Sequence, residues 1–237
     1  MIERLFSYDE VTSTNDVAKK MVEFLRNGDV IWALKQNDGH GKGERSWYSP
    51  EGGLWFSVIF KPSYLPDDKN IYTKMISVAV VRTLKKAHIE GVGTKWPNDL
   101  YYGKKKIGGI LTEIIHHGTD KTIIIGVGLN VNNTLPVDLP DAISLKEISG
   151  RTFDLSHLLK TIHYESLKLY TFITKKQTNV ITNFWRNSLI IKKGSQVRYK
   201  DINGEHVATV VRIFADSFVI EMNGIKERVS PSEIESL

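Results

Sequence analysis

The chain has 237 residues, 41% of them hydrophobic and 25% charged, with a formal net charge of +5. This composition is that of a globular protein with one large domain, or a large and a small one, and no apolar run approaches the ~20 residues that a membrane-spanning helix needs. The absence of cysteine excludes disulfides and thiolate catalysis, and the basic surface is compatible with an anionic substrate, an acidic protein partner or nucleic acid.

The first half of the chain predicts alternating strands and helices. After a strand at 3–9, Ser13 is a good N-cap for a helix on which Val17, Met21 and Phe24 recur at helical spacing and which Gly28 is expected to end. The further elements expected are strands at 30–35 and 54–60, a helix at 69–88, short extended pieces at 94–96 and 100–102, and two strands at 106–115 and 122–131 joined by a hairpin turn.

In the second half of the chain, the predicted secondary structure changes from helices to short strands near residue 192. Asp154 is the expected cap of a third helix rich in leucine and isoleucine, and a fourth helix is predicted at 179–187. The remaining residues alternate short strands, at 195–201, 206–214, 217–222 and 226–229, with Asn-Gly and Ala-Asp turns. The sequence therefore predicts an α+β domain over residues 1–190 and a small β-barrel of about 45 residues over 191–237.

Residues 36–47 form the most informative stretch, because they combine three glycines with Lys42, Arg45, His40 and Trp47. Glycine lets the backbone come close to a ligand, and successive N–H groups in such a segment can bind an anion. The G-x-x-x-x-G-K-[ST] spacing of a phosphate loop is absent. The stretch therefore favours a lid over an anionic, aromatic ligand such as a nucleotide, with a mobile hairpin carrying a solvated charged tip as the alternative.

Three other segments carry polar groups at element ends. Asp99, in Lys-Trp-Pro-Asn-Asp, is a candidate magnesium ligand, although a rigid turn explains the same residues. Lys106 begins an apolar strand beside two glycines, where it can hold a carboxylate or phosphate oxygen or simply be solvated. Asn130 follows the alternating glycines Gly126 and Gly128, which indicate either close approach of a ligand or a tightly packed sheet.

Taken in order, these segments resemble the biotin protein ligases. The matching stretches are Thr-Ser-Thr-Asn at 12–15, the glycine-rich segment at 36–47, Ser-Pro-Glu-Gly-Gly-Leu at 49–54, Lys-Trp-Pro-Asn-Asp at 95–99, Lys-Ile-Gly-Gly-Ile-Leu at 106–111 with Glu113, and Gly-Val-Gly-Leu-Asn-Val-Asn at 126–132. The resemblance implies an α+β fold, with a mixed central sheet flanked by helices, of the class II synthetase-like biotin–lipoate ligase type, followed by an SH3-like β-barrel. The short N-terminus implies the monofunctional kind, without a winged-helix DNA-binding domain.

The family's chemistry has two steps, and the resemblance assigns residues to them. Biotin and Mg·ATP give biotinyl-5′-AMP, and a lysine of a biotin carboxyl carrier domain then takes the biotin. The resemblance implies that Lys106, Lys42 and Asp99 are catalytic and that Asp99 is the magnesium ligand. The residues implied to bind biotin are Ser13, Thr14, Asn15, Gln36, Gly39, His40, Gly41, Lys42, Lys106 and Gly109, and those implied to bind ATP or the adenylate are His40, Arg45, Trp47, Lys95, Asn98, Lys106 and Asn130.

The chain departs from the family pattern in its glycine-rich segment. Many members read Gly-Arg-Gly-Arg where this chain reads Gly39-His40-Gly41-Lys42, and lysine keeps the charge but loses the bidentate fork of arginine. Lipoate–protein ligases and octanoyltransferases share the implied fold and are the nearer alternative. A nucleic-acid-binding regulator is the alternative from another class, supported by the basic charge and the barrel.

The sequence and its resemblance to the biotin protein ligases also predict the cellular location and the partners. The N-terminus shows no signal-peptide pattern, so the protein is expected in the cytoplasm. Biotin, ATP and the carrier domain are the expected partners, DNA and membrane are not expected, and a homodimer is compatible with the sequence.

Overall fold

The computed structural model describes residues 2, 4–43, 45–202 and 204–236, which form two β-sheets and five α-helices. The strands of the first sheet are β1 (Leu5–Val11), β2 (Val30–His40), β3 (Ser46–Ser49), β4 (Leu54–Phe60), β5 (Val92–Lys95), β6 (Asp99–Tyr102), β7 (Lys105–His117) and β8 (Asp120–Leu129). The helices are α1 (Thr14–Lys20), α2 (Ile71–Lys86), α3 (Leu145–Ser149), α4 (Leu155–Thr174) and α5 (Thr178–Ser188).

The eight-stranded sheet is mixed, with the order β1-β2-β4-β8-β7-β6-β5 and β3 paired to the far part of β2. β1 and β2 run parallel, whereas the other neighbours are antiparallel. Because successive side chains of a strand point to opposite faces, Val58 of β4 joins the large core under the long helices. Ile59 instead joins a smaller cluster under α1. Helices therefore cover both faces, which confirms the predicted α+β class with a mixed central sheet.

The C-terminal residues form a second, antiparallel sheet. Its strands are β9 (Gln196–Asp201), β10 (Gly204–Ile213), β11 (Phe218–Met222), β12 (Ile225–Val229) and β13 (Ile234–Ser236), in the order β12-β11-β10-β9-β13. Val210 and Phe218 belong to the same buried core as Trp185 of α5. This all-β part agrees with the expected small SH3-like barrel, while the domain boundary between residues 190 and 191 stays a prediction.

A buried lysine joins the two parts of the chain. Lys74 of α2 is 1% exposed, and its Nζ lies 2.7 Å from Asp68 Oδ2 and donates to the carbonyl of Ala215 at 2.8 Å. The ammonium also lies 4.6 Å from the ring centroid of Trp185. A buried charge is costly unless it is paired and hydrogen-bonded, so these contacts make the attachment of the C-terminal sheet specific.

The first helix differs from the sequence prediction. It ends at Lys20 with Met21 as its C-cap, so Gly28 does not end it. Gly28 has a positive φ of 87° but donates its N–H to Ile59 O in the connection to β2. Phe24, which helical spacing placed on the buried face, is 74% exposed. Short helices gain little stability of their own, so tertiary contacts decide where this one ends.

Other elements were absent from the sequence prediction or end at different residues from those predicted. β2 continues to His40, five residues beyond its predicted end, because it pairs with both β4 and β3. α3 was not predicted, although Ser144 and Glu147 form a capping box, and β13 was missed as well. The expected start of the first strand at Glu3 and the Asn203 turn position lie outside the described residues. No helix in the described part of the chain is both long and apolar enough to cross a membrane.

Candidate active site

A cavity of about 740 Å³ lies where the glycine-rich segment faces β6, β7 and β8. It collects segments that are far apart in sequence: the start of α1, the β2–β3 hairpin, the Lys95–Asp99 turn, and residues 135–142. The predicted site residues that line it are Ser13, Thr14, Asn15, Gln36, His40, Gly41, Lys42, Arg45, Trp47, Lys95, Asn98, Asp99, Lys106, Gly109 and Asn130. Gly39 is the predicted site residue that does not line the cavity.

Gly39 instead serves the hairpin itself. It is paired with Trp47 across β2 and β3, and a Cβ added there would lie 2.5 Å from Trp47 O and 2.7 Å from Ser49 Oγ. His40 pairs with Ser46, and the N–H of Gly41 donates to Arg45 O at 2.6 Å. Much of the expected loop is therefore a β-hairpin, with Lys42 and Arg45 exposed at its tip.

One end of the cavity is a buried polar floor. The N–H of Thr14 donates to Gln36 Oε1 at 2.9 Å. Ser57 Oγ lies 2.7 Å from Thr14 Oγ1 and 2.6 Å from Asn15 Oδ1, and the other side of the Asn15 amide donates to Glu113 Oε2 at 2.8 Å. Ser13 is the N-cap residue of α1 as predicted, but its side chain makes no capping hydrogen bond. These contacts hold amide and hydroxyl groups in fixed directions at the closed end of the cavity.

The glycines of β7 and β8 leave room for two of these site side chains. A Cβ on Gly128 would lie 2.3 Å from Trp47 Nε1, and one on Gly126 would lie 2.5 Å from Asn15 Oδ1. Gly109 is next to the same indole, with a Cβ position 3.4 Å from Trp47 Cζ3. The glycines were interpreted either as a place where a ligand comes close or as a tightly packed part of the sheet. The structure shows tight packing, and this packing places Trp47 and Asn15 at the cavity wall.

Lys106 is the charged group at the centre of this wall. Its Nζ lies 2.8 Å from Asp99 Oδ1 and 5.0 Å from the ring centroid of Trp47. Its backbone N–H donates to Asp141 O at 2.7 Å, which ties the cavity-lining segment 135–142 to the start of β7. A half-buried ammonium in this position can attract an anionic oxygen with less screening than a charge in water.

The remaining predicted residues surround Lys106. The side chain of Asn98 donates to Ile110 O at 2.9 Å, so its amide holds the turn in place beside the cavity. Asn130 Oδ1 accepts from Asn133 Nδ2 at 3.2 Å. The Nζ of Lys95 lies 5.0 Å from the ring centroid of Tyr101, whose pKa is raised by burial and then by the negative charges of Asp99 and Asp141.

Magnesium binding was predicted at Asp99. Within the described ranges, no three or more histidine, cysteine, aspartate or glutamate side chains form a group that could hold a metal ion. A magnesium ion that arrives on nucleotide phosphates needs only one or two protein carboxylates. Asp99 fits that minimal role, since it lines the cavity beside Lys106, and its assignment as a ligand stays a prediction.

Several residues of the site were missed by the sequence reading. Ser57 lies within a fully buried strand and looks like core, and Glu113 was noted only as part of a motif. Ser57 and Glu113 lie behind the cavity wall, whereas Tyr101, Leu135, residues 138–142 and Ser232 line the cavity itself. The register of β4 against β8, which places Ser57 opposite Gly126, is the signal that could have indicated Ser57, but it depends on tertiary pairing.

The chain is similar in sequence and in fold to known protein ligases. A family model described as the biotin/lipoate A/B protein ligase family matches residues 7–130. The bifunctional ligase/repressor BirA of Bacillus subtilis is 29% identical over 99% of this chain and 74% of its own length. Biotin–protein ligase 2 of Arabidopsis thaliana is 31% identical over 58% of this chain and 43% of its own. The structure of the Aquifex aeolicus biotin protein ligase in complex with biotin and ATP is similar in fold, with a TM-score of 0.82, 24% identity and 98% of each chain covered.

Proposed function

Because the chain belongs to the biotin/lipoate A/B protein ligase family, we propose that it is a biotin–protein ligase that activates biotin with ATP and transfers it to a lysine of a carrier protein. The support from relatives is the name of the Arabidopsis protein, a biotin–protein ligase, and the ligand pair of the Aquifex structure, biotin and ATP. The observation on this chain that carries the proposal is one cavity that combines a polar floor with a central lysine.

The polar floor favours biotin over the other acids that the family name allows. Thr14, Asn15 and Ser57 hold hydroxyl and amide groups with almost no solvent exposure. The ureido ring of biotin has both donors and an acceptor that can satisfy such groups. These groups already bond one another, but their oxygens have a second lone pair, which the N–H groups of the ureido ring can use and the aliphatic end of octanoate or the dithiolane of lipoate cannot.

Activation joins two anions, so the site must neutralise charge at the reacting oxygens. The biotin carboxylate attacks the α-phosphorus of ATP, a P–O bond forms, and the bond to the bridging oxygen breaks to release pyrophosphate. Lys106 is placed to stabilise the negative charge on these oxygens, while Lys42 and Arg45 at the hairpin tip, which line the same cavity, add further positive charge. Magnesium supplies charge neutralisation on the nucleotide phosphates when it is bound.

Transfer requires an uncharged amine and a leaving group. The carrier's lysine attacks the acyl carbon of biotinyl-5′-AMP and the C–N bond forms. The acyl C–O bond breaks so that AMP leaves with the bridging oxygen, and the amine loses one proton to solvent. Asp99 holds Lys106 in the structure. When Lys106 turns to the phosphate oxygens, the carboxylate of Asp99 becomes available to orient the incoming lysine. The buried Nε1 of Trp47, which has no hydrogen-bond partner among the described residues, is available to an acceptor of the adenylate.

The activation step can be measured without a carrier. We expect the protein to catalyse exchange of labelled pyrophosphate into ATP only when biotin is present, because exchange requires reversible formation of biotinyl-5′-AMP. Lipoate and octanoate serve as matched controls. Exchange that depends on lipoate or octanoate would replace biotin by that acid, and exchange that needs none of the acids would reject the proposal.

The other expectations about setting stay predictions. These are the cytoplasmic location, the carrier domain as the protein substrate, the absence of DNA among the partners, and a possible homodimer. Binding to DNA or RNA with an affinity that falls steeply with salt concentration, without biotin-dependent exchange, would instead favour the nucleic-acid-binding regulator.

A further inference from the structure

A chain of ion pairs and hydrogen bonds connects the glycine-rich hairpin with the polar floor. His40 Nε2 lies 2.8 Å from Asp16 Oδ2. The other carboxylate oxygen of Asp16 lies 3.1 Å from Lys19 Nζ, which also lies 2.9 Å from Glu113 Oε1. Glu113 Oε2 then accepts from Asn15 Nδ2 at 2.8 Å. The path thus runs from β2 through α1 to β7 and back to the cavity.

The ends and the middle of this path differ in their relation to the cavity. His40 and Asn15 line it, whereas Asp16, Lys19 and Glu113 do not. The side chains of the four ionisable residues are between 26% and 35% exposed, so they are neither fully solvated nor deeply buried. The middle of the path therefore cannot act by touching a ligand in the cavity, and its effect must pass through the two end residues.

The chemistry of Asp16 fixes the histidine ring. Burial by itself raises the pKa of Asp16, but hydrogen bonds from His40 and Lys19 and their charges outweigh it and leave that pKa below its usual value. Asp16 is therefore ionised at neutral pH and can only accept hydrogen bonds. It follows that His40 donates through Nε2, which leaves Nδ1 as the one ring nitrogen available to a ligand.

This arrangement is particular to a histidine at position 40. An arginine has five N–H donors and can bind a carboxylate while it keeps donors for a second group. Histidine has two ring nitrogens, so the orientation of the ring decides what it presents to the cavity. A carboxylate at position 16 supplies that orientation from α1, whose first residues also build the floor.

We propose that Asp16 is a positioning residue for biotin binding. By holding His40, it fixes the β2–β3 hairpin against α1. Through Lys19 and Glu113, it also fixes the position of Asn15 relative to the hairpin. The proposal rests on the proposed function, because it assigns a role toward the ligand of the same site. Its consequence is that loss of Asp16 weakens the binding of biotin without removing any group that contacts the reacting oxygens.

The test compares Asp16→Asn with the wild-type protein. We expect the KM for biotin in pyrophosphate exchange to rise about 5- to 10-fold, the size of effect that loss of one partly exposed hydrogen bond gives, with kcat at saturating biotin within about 2-fold. Glu10→Gln is the matched control, because Glu10 forms an exposed pair with Lys35 Nζ at 3.2 Å between β1 and β2 outside the cavity. Its KM should not change.

A double-mutant cycle separates positioning from a general loss of stability. If Asp16 acts through His40, then Asp16→Asn combined with His40→Gln should raise the KM no more than the more severe single change. An unchanged KM in Asp16→Asn, strictly additive effects, or a fall in kcat that parallels a fall in Tm would each overturn the proposal. A wild-type protein without biotin-dependent exchange would overturn the proposed function together with it, whereas active wild type with unaffected Asp16→Asn would reject the positioning role alone.

Discussion

Lys106→Ala is expected to slow the formation of biotinyl-5′-AMP by at least ~10²-fold, the effect of removing a preorganised charge from a site where charge develops. The Nζ of Lys106 is held in the cavity wall by Asp99 and by the face of Trp47. Its charge is therefore already at the cavity wall when the substrates arrive, and it has only to turn from Asp99 to the phosphate oxygens. Because the contact is made mainly in the transition state, kcat should fall more than the KM for biotin rises.

Single-turnover formation of the adenylate, measured with excess enzyme, gives this rate directly. Lys105→Ala is the control, since Lys105 is the exposed neighbour on the same strand and its side chain points to the other face. It should form adenylate at the wild-type rate. Near-normal adenylation by Lys106→Ala would remove this residue from the mechanism.

The second large effect is expected for Gly128→Val. The Cβ would lie 2.3 Å from Trp47 Nε1 and 2.7 Å from Trp47 Cε2, so the indole must leave its place against β8 and move away from Lys106. A displacement of about 1 Å in a site of this kind costs about 10²-fold in rate. Both the hairpin and the central charge should be affected, and we expect adenylation to fall by about that factor.

Gly118→Asn provides the comparison for a glycine of the same strand pair. Gly118 lies in the turn between β7 and β8 with φ at 58° and nothing within 4 Å of a Cβ, and asparagine tolerates this backbone conformation. Tryptophan fluorescence and the adenylation rate should be measured for both variants. We expect Gly128→Val to change both quantities from their wild-type values and Gly118→Asn to change neither. Wild-type activity in Gly128→Val would show that the seat of Trp47 on β8 is not needed.

The sequence predicted the elements whose signals are local. Asp154 accepts from the N–H of His157 as an N-cap, and α2 and α5 agree with their predicted spans within two residues at each end. β4 runs over the predicted residues 54–60. In these segments the periodicity, the caps and the turns all favour the same structure, so tertiary contacts had nothing to override.

The errors occur where distant contacts decide. β2 extends through Gly39 because β3 pairs with it, and glycine in a strand gives no local signal for such an extension. The short α1 ends at Lys20, and beyond it Leu25 is buried in the same small cluster as Ala18 while Phe24 is exposed. Propensity alone does not fix the end of a seven-residue helix.

For the site as well, residues with a local signal were predicted and residues that depend on distant contacts were missed. The ordered motifs indicated most of the polar residues that line the cavity, but not Tyr101, Asp138, Asp141 or Ser232. Ser57, Asp16 and Lys19 escaped because each acts on another residue of the site. Their partners, Asn15, His40 and Glu113, come from other elements, so only the folded sheet brings them together.

The central claim is that this cavity activates biotin and passes it to a carrier lysine. Its most direct test is the intact mass of a purified biotin carboxyl carrier domain after incubation with the protein, Mg·ATP and an equimolar mixture of biotin, lipoate and octanoate. We expect one added biotin per carrier, and none when the target lysine is replaced by arginine or ATP is omitted. Transfer of lipoate or octanoate in place of biotin, or an unmodified carrier, would contradict it.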